Sequence, residues 1–170
     1  MKLSEVLCSV HIIEALTTRV DVQWSQDQES LIGVGEVEGV NFTLTAAPTS
    51  YGNYNGCNLS FATEKDGKRV ETFRNEFGQS SSKIIGAVVN GFCDKLNDYE
   101  FDFFMLVAKN AVNKRASLYQ LIANRFAKSQ AMHVDQVTHG SHRIVLMIKH
   151  NIPLSVLREL QQKLDGLVDK

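Results

Sequence analysis

No CxxC pair occurs in the 170 residues, and the three cysteines, Cys8, Cys57 and Cys93, stand far apart. Neither a disulfide framework nor a zinc knuckle is indicated, no metal site is expected, and a reducing cytoplasm fits best. An excess of charge is also missing: 18 Lys plus Arg face 19 Asp plus Glu, for a formal charge of −1. That removes any general attraction to nucleic acid or an anionic membrane, so an anion site has to be local. Apolar runs of membrane length are absent. In the first stretch, MKLSEVLCSVHIIEAL, Glu5, His11 and Glu14 interrupt the apolar residues, which argues against a signal peptide or a spanning helix. There are no repeats, long linkers or low-complexity tracts, and at 44% hydrophobic content the length predicts one domain over residues 1–170.

Several catalytic signatures are missing too. Neither GxxxxGK[ST] nor GxGxxG occurs, so nucleotide hydrolysis and dinucleotide binding have no support, and no GxSxG elbow offers a nucleophilic serine. Cys93 falls on an apolar stripe, where a thiol behaves as a small hydrophobe. His139 and His142 form HGSH in a turn and lack a third ligand nearby. His11, His133 and His150 are single, unpaired signals.

What is present is a clear change of pattern along the chain. Leu3, Val6, Leu7, Val10, Ile13 and Leu16 recur at helical spacing and predict an amphipathic helix over about 3–17. Val20, Val22 and Trp24 alternate as in a half-buried strand, and QDQE turns the chain. LIGVGEVEG and VNFTLTAA predict a hairpin around Glu38-Gly39. CNLSFATEKDGKRVETF predicts another around Asp66-Gly67, and PTSYGNYNG between them reads as an exposed loop. The first half is thus a mainly antiparallel meander.

From the serines at 80–82 onward, Ile84, Ile85, Val88, Val89, Phe92, Cys93 and Leu96 mark one helix face. Phe101 to Ala108 then reads as a central strand covered on both sides, apart from Asp102. A helix follows with Leu118, Leu121, Ile122 and Phe126 as its stripe. Two strands around THGS come next, and PLSVLRELQQKLDGLV predicts a closing helix over about 153–168. The fold class is α/β or α+β: a twisted, mostly antiparallel mixed sheet with one helix-connected strand pair, covered by helices.

Three groups of residues carry candidate chemistry. The stretch NEFGQSSSK opens a helix, and unpaired N–H groups at such a start favour phosphate, with Lys83 as an added cation; a plain capping loop explains the same residues. Tyr119 is either a core-edge tyrosine or a general acid toward a leaving group. Glu36, Glu38, Glu64 and Glu71 are strand carboxylates, either solubilising or basic, and Glu71 is the closest of them to the Gly-Ser loop. The cationic Lys114, Arg115, Arg125 and Lys128 lack aromatic interleaving and read as a solvated helix face.

Meander, NEFGQS, helix, apolar strand and NKRASLY together resemble the core of the GNAT N-acetyltransferase superfamily over about residues 30–149. The resemblance implies an acyl-CoA-dependent N-acyltransferase whose acceptor is unknown. Asn75, Gly78, Gln79, Ser80 and Ser81 would hold the acetyl-CoA pyrophosphate, with Asn75 where the family has Gln or Arg and Ser80 where it has Gly or Ala. Asn113 and Tyr119 look like the family's Asn and Tyr, the Tyr acting as general acid, and Glu71 is the candidate base. The chain also looks like small proteins of tailed bacteriophages. That likeness implies an alternative: a non-catalytic accessory protein in the cytoplasm of a bacterial host, using a degenerate form of the fold to bind a host or virion protein.

Overall fold

The computed structural model describes residues 17–70, 80–108, 114–139, 142–153, 155–156, 159 and 162. Along this part of the chain run β1 (Gln23–Asp27), β2 (Ser30–Val37), β3 (Val40–Tyr51), β4 (Tyr54–Lys65) and β5 (Lys68–Val70). They are followed by α1 (Ser80–Leu96), β6 (Phe103–Ala108), α2 (Lys114–Ser129), β7 (Met132–His139) and β8 (His142–Lys149). The strands form one mixed sheet in the order β1-β2-β3-β4-β6-β8-β7, with β5 paired to β4 off that path. The parallel neighbours β4 and β6 are joined through α1, whereas β1–β2, β4–β5, β6–β8 and β7–β8 pair antiparallel. This is the α+β, mostly antiparallel sheet with a helix-connected strand pair that the sequence predicts. Among the described residues, no helix is long and apolar enough to cross a membrane.

The hairpins form where the turn chemistry demands them. Glu38 (φ 51°) and Gly39 (φ 77°), and likewise Asp66 (φ 54°) and Gly67 (φ 72°), occupy the left-handed region at both central positions. Their backbone twist then matches the right-handed twist of the flanking strands. The expected PTSYGNYNG loop is a correction. β3 continues through Pro48 to Tyr51, and only Gly52 and Asn53 turn before β4 begins. A two-residue turn aligns the eight residues of β2 with Val40–Ala47, so Pro48 is the first residue past the end of β2, where its missing N–H costs no ladder bond. The first strand is also shifted. β1 starts at Gln23, leaving Val20 and Val22 ahead of it. The predicted N-terminal helix lies outside the described residues except for Thr17, which is helical.

The chain divides into two compact units, Met1–Thr45 with Phe61–Leu96, and Ala46–Ser60 with Asn97–Lys170. In the first, Val37, Val40, Phe42, Leu44 and Phe61 are buried, as are Ile84, Val88, Val89, Phe92 and Leu96 of α1. The sequence predicts one apolar face for α1, yet Gly86, Ala87, Asn90 and Gly91 are buried as well, so the helix is enclosed over most of its circumference. Gly91 makes the close approach workable, because a Cβ there would lie 2.8 Å from Leu44. Trp24 tilts against Phe92 with ring centroids 6.5 Å apart. Asn90, a buried polar side chain of α1, donates through Nδ2 to the Thr18 carbonyl at 2.7 Å.

In the second unit, Phe103–Leu106 of β6 and Ile144–Ile148 of β8 are buried on both faces, as predicted for the middle of the 101–108 stretch, whereas Val107 is exposed. One face carries Phe103, Met105, Ile144, Leu146 and Ile148, packed with Ile152, Tyr51, Tyr54 and Val156. On α2, Tyr119, Ile122, Ala123, Phe126 and Ala127 form the buried stripe, and the Phe126 ring meets Phe104 edge-on at 4.6 Å. Beyond β8, residues 155, 156, 159 and 162 are helical, within the predicted closing helix.

Candidate functional site

The residues singled out by sequence divide by what the structure describes. Glu71, Asn75, Gly78, Gln79 and Asn113 lie outside the described residues. Ser80 and Ser81 are the first two residues of α1. Lys83, the candidate cation for that loop, is ion-paired with Glu38, so each of these half-exposed groups offsets the other's charge. Glu36 and Glu64 are exposed strand residues.

Tyr119 is 3% exposed and lies within the apolar stripe of α2, with Ile122, Ala123, Phe126 and Ala127 at helical spacing after it. Ile122 and Phe126 of the expected stripe are buried, and Tyr119 is buried with them, whereas the side chains of Leu118 and Leu121 lie outside what the structure describes. The next residue, Gln120, donates through Nε2 to Asn124 Oδ1 at 2.8 Å, while its Oε1 is buried without a partner among the described residues. A second such atom is Arg143 Nε. Arg143 stands on β8 opposite Ala108, the last residue of β6 and the end of the strand that leads to α2.

Asp102 is a junction that sequence reasoning passed over as the polar exception in an apolar run. Its Oδ2 accepts from Asn55 N at 2.9 Å, its own N–H donates to Asn55 O at 2.7 Å, and its carbonyl accepts from Lys149 N at 3.1 Å. One residue therefore ties the start of β6 to both neighbouring strands. Cys57 on β4 is a buried thiol whose pKa burial pushes up to about 12, the opposite of what a nucleophile needs. At the far end of the β7–β8 hairpin the rings of His133 and His150 meet, although the sequence presents them as single residues 17 positions apart. The signal that finds this pair is the hairpin register, which sequence pattern alone does not supply.

Compared with protein-family models, curated proteins and solved structures, the chain gives no match. Function rests on its own residues.

Proposed function

We propose that the chain is an acyl-CoA-dependent N-acyltransferase of the GNAT type, acting on an acceptor amine. The observation that carries this reading is two buried polar atoms without a partner among the described residues, Gln120 Oε1 and Arg143 Nε. One adjoins Tyr119 in the chain, and the other lies across from the end of β6. The resemblance assigns Tyr119, the neighbour of Gln120, to the CoA thiolate. The parallel β4–β6 pair, connected through β5 and a helix that opens at Ser80, agrees with the same reading. In the proposed reaction the acceptor amine attacks the thioester carbonyl, the C–S bond breaks, and Tyr119 gives its phenolic proton to the departing CoA thiolate. The acceptor nitrogen loses its proton to a base, for which Glu71 is the candidate.

The burial of Tyr119 favours a second reading, in which the phenol is core packing and the fold binds a protein partner without catalysis. Thermal-shift titration with CoA and acetyl-CoA separates the two. A ligand that binds only the native state stabilises it by about 2.7 kcal/mol at a hundred-fold excess over Kd, a rise in Tm that is readily measured. An unchanged Tm at millimolar CoA removes the enzyme. If CoA binds, Tyr119→Phe narrows the assignment: turnover lost with binding retained supports the acid, and undiminished turnover removes it.

A further inference from the structure

β7 and β8 flank residues 140–141, and their register sets His139 opposite His142 and His133 opposite Ile148. His150 lies two residues beyond Ile148, diagonal to His133 on the same face, a separation that long side chains bridge. The two rings do so. His150 Nδ1 and His133 Nε2 are 2.5 Å apart, with ring centroids 3.6 Å apart and planes at 75°. Both residues are exposed. The two nitrogens face each other at hydrogen-bond distance, with donor and acceptor set by the tautomer. The pair accommodates one cation between two imidazoles.

We propose that His133 and His150 form a binding site for a divalent transition-metal ion, which takes the place of the hydrogen bond between them. Imidazole nitrogen suits zinc, copper and nickel, and calcium or magnesium would find no oxygen cage here. Metal–nitrogen bonds of about 2.0–2.1 Å in tetrahedral geometry hold two nitrogens about 3.3 Å apart. The rings then part by less than about 1 Å, which exposed side chains accomplish by χ rotation without moving the strands. Asp135 follows His133 by two residues along β7, but its Oδ1 accepts from the Gln136 N–H at 2.8 Å, so it is not counted as a third ligand. Among the described residues no group of three or more His, Cys, Asp or Glu is arranged for a metal. The site therefore supplies two protein ligands and leaves the remaining positions to water, an open and exchangeable centre. It binds more weakly than a four-ligand structural zinc site, with copper preferred over nickel and zinc.

The test uses the full chain without an affinity tag. Nickel, zinc and copper chlorides are titrated in by calorimetry, and imidazole C–H resonances are followed by NMR with zinc, which is diamagnetic. The proposal expects one ion per chain, tightest for copper, with the His133 and His150 resonances moving together. His133→Ala or His150→Ala should weaken binding by at least about ten-fold, while the double variant His139→Ala/His142→Ala leaves it unchanged. Absence of binding at millimolar metal overturns the proposal. So does binding that survives loss of both His133 and His150, or zinc that moves only the His139 and His142 resonances. The NMR readout needs no variant, so a substitution that failed to fold would leave the question decidable.

Discussion

Gly56 and Phe103 are register partners across the parallel β4–β6 ladder, and a Cβ placed on Gly56 would lie 2.2 Å from the Phe103 ring. The aromatic ring occupies the space that a side chain at position 56 would take, and Phe103 is itself fully buried. Gly56→Ala should therefore destabilise the protein by about 1–3 kcal/mol through overpacking. In the background Phe103→Leu the same change should cost less, because the smaller side chain vacates part of the site. Urea unfolding of the four proteins gives the coupling energy, and strict additivity would show that the two positions do not share this space.

Removing the Asp102 carboxylate should loosen the same ladder. Asp102→Ala leaves the Asn55 N–H without its 2.9 Å acceptor and should cost on the order of 1 kcal/mol. Asp102→Asn, which retains an amide oxygen at that position, should recover much of the loss. Amide hydrogen exchange at Asn55 is the local readout. Unchanged protection there in the alanine variant would remove the clamp role.

Cys57 gives a pH signature. Burial lifts its thiol pKa from 9.0 to about 12. Below pH 9 folded and unfolded chains both hold the proton, and its contribution to stability is fully present. Between about 9 and about 12 only the unfolded chain releases it, so stability falls by about 1.4 kcal/mol per pH unit from this group. Relative to Cys57→Ala, the wild-type protein should lose stability more steeply over that window. At pH 8 the native thiol should react with a disulfide reagent far more slowly than the unfolded chain does.

Tyr51 donates its hydroxyl to Glu159 Oε2 at 2.9 Å. That hydrogen bond first, then partial loss of solvent and the carboxylate charge, raise the phenol above its ordinary 10.0. The contact's contribution is present below pH 10 and is lost as the pH rises through the raised value. Ultraviolet titration should show one tyrosine returning toward its ordinary range in Glu159→Gln. Identical titration curves would show that the hydrogen bond is not formed in solution.

Where the chain encodes its own turn geometry, the fold was legible. Glu38-Gly39 and Asp66-Gly67 mark their hairpins because few residue pairs adopt positive φ at both positions. Phe101–Ala108 reads as a doubly covered strand because only Asp102 interrupts its apolar run, and Phe103–Leu106 are buried on both faces. The stretch from Pro48 to Asn53 misleads because proline, glycine and asparagine suggest a loop, whereas its strand character comes from neighbouring strands that propensity does not register. Ile122 and Phe126 were legible as the buried side of α2, but the burial of Tyr119 was not, because a tyrosine beside an apolar stripe serves equally well at the core edge or at a working position. The His133–His150 contact depends on β-register across a hairpin, and a slip of one residue would place the rings on opposite faces. Much of the proposed acyl-CoA loop falls at residues 71–79, outside the described chain.

β6 has a partner on each edge, and neither is close in sequence. Asn55, which bonds to the residue just ahead of β6, precedes it by 47 positions, while β8 is made only after α2 and β7. On a ribosome the segment FFMLVA therefore emerges with its β4 partner already synthesised and its β8 partner still absent. Such a short, apolar, uncharged strand with a bare edge can pair with copies of itself. Pairing over long loops is slow to form, so the interval before β8 arrives is when the nascent protein is most exposed to aggregation. A chain released before His142 would carry that open edge permanently.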